Sequence, residues 1–219
     1  MKLFLDTANV NEIKKWYETG LIDGVTTNPT HLSKEGGDAK KKVLEICALM
    51  PDCDVSIEVT EDDPEAVYKQ AMEIAQLAEN VVVKVPCHKK YYSVINRLVD
   101  NEIQLNITLV FSLIQSLCMC KLGVRYISPF IGRLDDIDAD GMQLIQDIRL
   151  MIDEYAFETE LLAASIRSVE TVHQTILAGA DVATIPLNIM QKITEHPLTD
   201  KGMTAFLEDW KKLGIKQFP

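Results

Sequence analysis

One lysine interrupts an otherwise apolar segment of the chain, Val81-Val82-Val83-Lys84-Val85-Pro86. Such a segment is typical of a strand that is buried on both faces in a parallel sheet. Burial disfavours a charged ammonium and favours the neutral amine, a nucleophile that forms a Schiff base with a carbonyl compound. The alternative is an edge-strand lysine whose ammonium reaches water along its aliphatic stem. Lys84 alone does not decide between these interpretations.

Two carboxylates lie in similar strand-like segments. Asp6 and Glu58 could serve as the acid and the base that move protons during imine chemistry. The alternative is a buried ion pair with Lys84, although one carboxylate would be enough for that. Three more polar residues could bind substrate hydroxyls or position a water molecule: Asn28, Asn106 and Thr108.

Two arginines could bind a phosphate group. Arg133 follows the sixth apolar segment and Arg167 follows the seventh, and guanidinium groups match the geometry of phosphate. The alternative for each arginine is a salt bridge to a surface carboxylate, since Asp135 and Asp136 are close to Arg133 in the sequence. A surface salt bridge could account for Arg133 alone, but it is a less expected explanation for the presence of both arginines.

Eight apolar, strand-like segments carry these residues, and helical patterns lie between them. The segments are 3–6, 24–28, 55–60, 81–86, 105–110, 126–132, 161–165 and 182–187. Pro64 opens one helical pattern, and Gly20, Gly123 and Gly179 follow three others, as C-terminal caps do. Eight strand–helix units predict an α/β fold, a (β/α)8 TIM barrel formed by residues 1–219 as a single domain. The chain is shorter than the ~250 residues typical of this fold, which favours a small substrate over a polymer.

Strand alternation predicts which side chains face the barrel interior. In the first six segments the odd positions are mostly apolar and are expected to face the helices: Leu5, Val25, Val55, Ile57, Val83, Val85, Ile107, Leu109, Ile127 and Ile131. The inward even positions are mostly polar: Asp6, Thr26, Asn28, Ser56, Glu58, Lys84, Asn106, Thr108 and Ser128. In the seventh segment we expect a shift, with Ser165 and Arg167 inward and Leu162, Ala164 and Ile166 outward. Barrel interiors are usually filled by branched apolar residues, so this polar set predicts an active site around Lys84.

Composition and charge exclude several other classes of function. The net charge is −11, so nucleic acid and anionic membranes are not expected partners. No apolar run approaches the ~20 residues of a membrane span, and no signal peptide is expected before the first strand. Five cysteines without a Cys-x-x-Cys motif indicate reduced thiols, and together these features predict a cytoplasmic protein.

The sequence contains no motif for a cofactor or a metal. We find no Gly-x-Gly-x-x-Gly, no Walker-type loop and no metal-ligand spacing, so neither a cofactor nor a metal is expected. The histidines His31, His88, His173 and His196 share no ligand spacing and are not expected to act in the site. Cys87-His88 follows the lysine segment closely, but adjacency in the sequence does not by itself make a nucleophilic pair.

Five segments carry most of the polar residues in a fixed order. They are Phe4-Leu5-Asp6-Thr7-Ala8, Gly24-Val25-Thr26-Thr27-Asn28-Pro29, Val83-Lys84-Val85-Pro86, Ile127-Ser128-Pro129-Phe130-Ile131-Gly132-Arg133 and Ala163-Ala164-Ser165-Ile166-Arg167. Together these segments resemble the motifs of transaldolases, and the resemblance extends to Trp210. The chain length is similar to that of the short subfamily that includes fructose-6-phosphate aldolase. The resemblance implies a (β/α)8 barrel of the class I aldolase type, in agreement with the strand pattern.

The resemblance also implies a role for each polar residue. Lys84 would be the Schiff-base lysine, and Asp6 would be the acid/base for the hydroxyl at the bond that is cleaved. The other implied roles are a catalytic water held by Glu58 and Thr108, a dihydroxyacetone unit bound by Asn28 and Asn106, and hydroxyls and phosphate held by Ser128, Ser165, Arg133 and Arg167. Thr26 and Phe130 complete the expected substrate-binding set.

The implied reaction transfers a three-carbon ketol unit from a ketose phosphate, sedoheptulose 7-phosphate or fructose 6-phosphate, to an aldose phosphate without a cofactor. Two positions resemble transaldolase and not the aldolase branch, which has glutamine at Glu58 and tyrosine at Phe130. A phenol near the imine could protonate the enamine and release free dihydroxyacetone, whereas phenylalanine cannot donate a proton. The alternatives are a fructose-6-phosphate aldolase and a catalytically silent phosphosugar-binding barrel.

A last helical stripe lies beyond the eighth unit. Residues 199–213 predict an added C-terminal helix whose apolar positions are Met203, Phe206, Leu207, Trp210 and Leu213. Such a stripe, without a place in a ring of eight helices, indicates an interface between subunits. The resemblance implies a ring-like homo-oligomer, a pentamer or a decamer. The alternative is that the stripe packs across the bottom of its own barrel.

Overall fold

The computed structural model describes residues 1–214 and shows a closed barrel of eight parallel strands. The strands are β1 (Lys2–Asp6), β2 (Gly24–Thr26), β3 (Asp54–Glu58), β4 (Val81–Pro86), β5 (Leu105–Val110), β6 (Tyr126–Pro129), β7 (Glu160–Ala163) and β8 (Val182–Ile185). Each strand pairs in parallel with the next, and β8 closes on β1. The predicted (β/α)8 barrel is therefore confirmed.

Helices surround the barrel and connect its strands. They are α1 (Val10–Tyr17), α2 (Pro29–Glu35), α3 (Ala39–Leu49), α4 (Pro64–Ala75), α5 (Tyr92–Asp100), α6 (Leu113–Leu122), α7 (Ile131–Asp135), α8 (Gly141–Glu154), α9 (Val169–Leu177), α10 (Leu187–Ile193) and α11 (Pro197–Lys212). Pro64 opens α4 as predicted, and Gly123 ends α6 with a φ of +77°, which favours glycine. Within residues 1–214, none of the helices has the length and hydropathy needed to cross a membrane.

Several strands end earlier than their apolar segments predict. The second ends at Thr26, so Asn28 caps α2, and the sixth ends at Pro129, so Arg133 lies on α7. The third, seventh and eighth strands are shorter in the same way. An apolar run continues from a buried strand into the following loop or helix, and periodicity does not mark the point where the conformation changes.

Two layers of side chains pack against the strands. The outer layer, between strands and helices, includes Leu5, Val25, Val55, Val83, Ile107 and Ile127, as the alternation predicted. The inner layer is an apolar cluster inside the barrel that consists of Phe4, Val82, Tyr126, Leu162, Ala164 and Val182, with Phe130 packed against it. The polar even positions lie beyond this inner layer, towards the C-terminal ends of the strands.

The predicted shift of parity in strand seven is wrong. Leu162 and Ala164 lie in the inner layer, because β7 alternates in step with its neighbours. The change of direction comes two residues after the strand, where Ser165 has a φ of +60°. That left-handed residue returns Ile166 to the outer layer.

A second irregularity lies in β5. Leu109 has a φ of +58°, and the pairing of β5 with β6 shifts register between Ile107 and Val110. Val110 packs in the outer layer where simple alternation had placed Leu109. The shift resembles a β-bulge, which redirects side chains next to many active sites.

The C-terminal helix α11 begins at Pro197, two residues before the predicted start. Proline suits the first turn of a helix, and Nδ1 of His196 accepts a hydrogen bond from the Leu198 amide at 3.2 Å. None of the residues of α11 is buried, and its exposed apolar side chains include Leu198, Met203, Phe206 and Leu207; Leu213, directly after the helix, is exposed as well. Among the described residues of the stripe none is buried, which speaks against the alternative in which it packs across the bottom of its own barrel.

Candidate active site

A cavity of about 470 Å³ opens beyond the inner layer, at the C-terminal ends of the strands. It is lined by nine of the predicted site residues: Asp6, Thr26, Asn28, Lys84, Ser128, Phe130, Arg133, Ser165 and Arg167. The other three, Glu58, Asn106 and Thr108, lie on β3 and β5, the strands that flank β4. The structure thus brings together residues that are widely separated in the sequence.

Strand register explains this convergence. Asp6 is paired with Thr26 across β1 and β2, and Lys84 is paired with Glu58 on one side and with Asn106 on the other. Because every strand runs in the same direction, the even positions near the C-terminal ends of the strands face the interior at the same end of the barrel. Placement of the polar side chains therefore follows from the parallel pairing itself.

Lys84 is buried, with 5% of its surface exposed. Its Nζ lies 3.0 Å from Oε2 of Glu58 and donates a hydrogen bond to the Thr27 carbonyl at 3.2 Å. The edge-strand alternative is wrong, because β4 pairs with both β3 and β5. The ion pair that was the alternative interpretation of the carboxylates exists, and Glu58 is the carboxylate that forms it.

Asp6 has a separate set of partners. Its Oδ1 accepts a hydrogen bond from Oγ1 of Thr26 at 3.0 Å, and Thr26 shares a second hydrogen bond of 2.6 Å with Oγ1 of Thr184. Nε2 of His31 lies 3.3 Å from the same Oδ1. The two carboxylates of the site are therefore held by different groups and can take different roles.

His31, Lys34 and Thr184 also line the cavity and were not predicted. The four histidines share no ligand spacing, so the sequence gives no reason to connect His31 with Asp6. One signal was present: Asn28-Pro29 is a helix start directly after a barrel strand, and the first turn of such a helix lies at the mouth of the barrel.

Asn28 has a structural role as well as a place in the cavity wall. Its Oδ1 accepts a hydrogen bond of 2.9 Å from the His31 amide and so caps α2. The amide nitrogen of the side chain keeps its two donors for other partners. The cap fixes the orientation of Asn28 and links it to the backbone of His31.

Asn106 and Thr108 are fully buried on β5. Nδ2 of Asn106 donates to Oγ of Ser56 at 3.1 Å, and its Oδ1 accepts from Oγ of Ser128 at 2.5 Å. Oγ1 of Thr108 has no hydrogen-bond partner among the described residues. A buried hydroxyl is normally satisfied, so this one suits a partner from outside the chain.

The two arginines at the cavity differ in their contacts. Both terminal nitrogens of Arg167 contact the carboxylate of Asp136, one of them at 2.6 Å, and this guanidinium lowers the pKa of the Asp136 carboxyl. Arg133 lies over the ring of Phe130, 5.1 Å from its centre, and has no ion pair with the described residues. The alternative of a salt bridge is thus wrong for Arg133 and correct for Arg167.

Close packing brings α7 next to the loop after β7. The amide of Gly132 donates to the Ser165 carbonyl at 3.1 Å. A Cβ at Gly132 would lie 2.5 Å from that carbonyl oxygen and 2.6 Å from Nε of Arg167. Glycine at this position therefore allows Arg133 and Arg167 to share one wall of the cavity.

Cys87 and His88 do not form a nucleophilic pair. Cys87 is buried, and burial raises the pKa of its thiol to about 11. Nδ1 of His88 accepts a hydrogen bond of 3.3 Å from the Lys90 amide and caps a short helical turn. The site therefore offers Lys84 as its buried nucleophile.

A model of a known family matches residues 3–217, and its description is transaldolase/fructose-6-phosphate aldolase. The chain belongs to this family. The match includes every strand of the barrel and every residue of the cavity described above. Family membership makes the chain an aldolase/transaldolase enzyme and confirms the resemblance to the short transaldolases.

Curated relatives in the family match the sequence of this chain over nearly their whole length. A probable transaldolase of Dehalococcoides mccartyi is 47% identical over 214 residues, which are 97% of this chain and 99% of the relative. Probable transaldolases of Hydrogenobaculum sp. (46% over 218 residues, all of both chains) and Lactiplantibacillus plantarum (47% over 217 residues, 99% and 100%) are similar. The chain therefore has the length of a short transaldolase-family member.

Proposed function

We propose that the chain is a transaldolase of the non-oxidative pentose phosphate pathway in the cytoplasm. It transfers a dihydroxyacetone unit from sedoheptulose 7-phosphate or fructose 6-phosphate to glyceraldehyde 3-phosphate or erythrose 4-phosphate. The observation that carries the proposal is the buried Lys84–Glu58 pair beside a cavity that also contains Asp6 and two arginines. A phosphosugar-binding barrel without catalysis has no use for a buried amine of this kind.

The first step is imine formation. The Lys84 nitrogen adds its lone pair to the ketone carbon of the donor, and loss of the carbonyl oxygen as water gives a protonated imine. Glu58 is within 3.0 Å of that nitrogen and is the group best placed to exchange protons with it through a water. The unpartnered hydroxyl of Thr108 supports the assignment of that water to Glu58 and Thr108.

The second step is cleavage and transfer. Asp6 takes the proton of the donor hydroxyl next to the bond that breaks, the electron pair of that bond moves into the imine, and an aldose phosphate leaves. The enamine that remains attacks the acceptor aldehyde, whose oxygen receives the proton from Asp6. Water then hydrolyses the new imine and frees Lys84. The imine acts as the electron sink, so the mechanism requires neither metal nor cofactor.

Binding of the substrate is divided among the remaining residues. Asn28 in the cavity wall and Asn106, buried on β5, hold the dihydroxyacetone unit, and Arg133 and Arg167 hold the phosphate. The rest of the wall contacts hydroxyls and carbon atoms: Thr26, Ser128, Phe130 and Ser165. Asp136 pairs with Arg167, so a phosphate that binds this guanidinium competes with a carboxylate.

The second candidate is a fructose-6-phosphate aldolase, since one family model includes both activities. Phe130 lines the cavity and offers no proton to the enamine, which favours transfer over release. A coupled assay with fructose 6-phosphate, with and without erythrose 4-phosphate, separates the two. A transaldolase forms product only with the acceptor, whereas an aldolase releases dihydroxyacetone without it.

Assembly into a homo-oligomer, a pentamer or a decamer, belongs to the same proposal. The exposed stripe of α11 has Phe206 77% and Leu207 59% exposed. Apolar side chains grouped on one helix face are typical of an interface between subunits. A second copy of this chain is the partner we propose for that face.

A further inference from the structure

The imidazole of His31 lies in the cavity wall next to the carboxylate of Asp6. The distance from Nε2 to Oδ1 is 3.3 Å, and each side chain is 24% exposed. The mechanism proposed above uses Asp6 twice, once as base and once as acid. It gives no role to His31.

One oxygen of Asp6 receives all of the polar contacts made by the described residues. Oγ1 of Thr26 donates to Oδ1 at 3.0 Å, and Nε2 of His31 approaches Oδ1 from α2. Oδ2 therefore remains free to exchange a proton with a substrate hydroxyl. A carboxylate held through one oxygen presents the other in a defined direction, which is what a catalytic acid/base needs.

We propose that His31 is a positioning residue for Asp6, an inference that rests on the proposed transaldolase function. An imidazole with its proton on Nε2 donates towards Oδ1 and, together with Thr26, fixes the plane of the carboxylate. The backbone of His31 is in turn fixed by the cap from Asn28. Asn28, which holds the dihydroxyacetone unit, and His31, which orients Asp6, are thus both fixed at the start of α2.

The position of His31 predicts which step depends on it. Imine formation uses Lys84 and Glu58, and neither of them contacts His31. Carbon–carbon cleavage and the reverse addition use Asp6. Loss of His31 therefore slows cleavage and leaves imine formation intact.

The test compares three variants with the wild-type protein. His31→Leu removes the donor but keeps a side chain of similar size, His31→Gln keeps an N–H donor at similar reach, and His173→Leu makes the same change on α9, where the imidazole is exposed and outside the cavity. For His31→Leu, kcat with fructose 6-phosphate and erythrose 4-phosphate is expected to fall about tenfold, the effect of losing a charge-assisted hydrogen bond, with little change in KM. His31→Gln retains most of the activity, and His173→Leu retains all of it.

Adduct masses identify the affected step. Each protein is mixed with fructose 6-phosphate and quenched with borohydride at short times, and the mass added to Lys84 is measured. Reduction before cleavage leaves a six-carbon phosphosugar on the lysine, whereas reduction after cleavage leaves a three-carbon unit. His31→Leu is expected to accumulate the six-carbon adduct at an unchanged total yield.

Three results would overturn the inference. A ratio of six- to three-carbon adducts and a kcat equal to those of the wild type would show that His31 does not act on Asp6. Equal losses in His31→Leu and His31→Gln would show that its N–H donor is not the important feature. Absence of any Lys84 adduct in the wild-type protein would reject the proposed function and this inference with it.

Discussion

Oε2 of Glu58 lies 3.0 Å from Nζ of Lys84, and the two side chains are only 14% and 6% exposed. The pairing register of β3 and β4 places these residues directly opposite each other. A buried ion pair gives little net stability, but removal of one partner leaves the other without its counter-charge. The pair that we propose for imine chemistry is therefore also a point at which substitutions affect folding.

Glu58→Gln is expected to lower the free energy of unfolding by about 1.5–3 kcal/mol, because the buried ammonium loses its counter-charge and keeps only neutral acceptors such as the Thr27 carbonyl. The double variant with Lys84→Met is expected to lose less than the sum of the two single variants, since no charge is left unpaired. Urea denaturation of all four proteins at one concentration measures this coupling. Additive losses would show that the two charges are not coupled.

Arg167→Ala is expected to raise KM for fructose 6-phosphate roughly 10- to 100-fold, the loss of one charge-assisted phosphate contact. Unphosphorylated dihydroxyacetone donors are expected to change little. Asp136→Asn removes the carboxylate that pairs with Arg167 and is therefore expected to lower KM. The effect is expected to be only a few-fold, because exposed ion pairs are weak. Steady-state kinetics on both substrate types measure these effects.

Arg97→Ala is the matched control for the arginine, since Arg97 pairs with Glu65 on the surface and lies outside the cavity. It is expected to leave both KM values unchanged. Equal losses on phosphorylated and unphosphorylated donors in Arg167→Ala would show that Arg167 is structural.

Phe130→Tyr, alone or with Glu58→Gln, is expected to raise acceptor-independent release of dihydroxyacetone from fructose 6-phosphate relative to transfer. The phenol can donate the proton that the enamine needs, and the ring lies in the cavity wall. Phe111→Tyr is the control, because Phe111 packs against Phe130 with ring centres 6.0 Å apart but does not line the cavity. Rapid cleavage by the wild-type protein without an acceptor would favour the aldolase instead.

The protein is expected to elute well above the 24.6 kDa of one chain, and removal of residues 198–219 is expected to dissociate the assembly. Phe206→Glu places a charge in the exposed stripe of α11 and is expected to have the same effect. Ile114→Glu makes a similar change at another exposed position and serves as the control. A monomer by light scattering at micromolar concentration would contradict the proposed interface.

Much of the fold followed from strand periodicity, and the placement of Asp6, Glu58 and Lys84 followed with it. Parallel pairing brings the C-terminal ends of the strands to one end of the barrel, and alternation turns their even positions inwards, so the convergence of these three residues depends on strand direction and parity. Side chains that lie beyond the ends of the strands were harder to predict. Their positions depend on where each strand stops and on single backbone angles, neither of which a hydrophobic pattern records.

Ser165 and His31 illustrate these two difficulties. The left-handed φ of Ser165 reverses the alternation after β7, and serine gives little indication of that conformation. His31 reaches Asp6 because Asn28 starts a helix at the mouth of the barrel. Asp136 pairs with Arg167 and not with Arg133. This pairing also depends on the short helix α7, which the strand pattern did not predict.

Borohydride trapping shows whether Lys84 is the residue that forms the Schiff base. The protein is incubated with fructose 6-phosphate, reduced, digested and mapped by mass spectrometry. We predict a single adduct on Lys84 that is absent, together with turnover, in Lys84→Met, while circular dichroism shows that the variant remains folded. An adduct on Lys34, Lys89 or Lys90, or turnover that survives in Lys84→Met, would show that Lys84 is not the Schiff-base lysine.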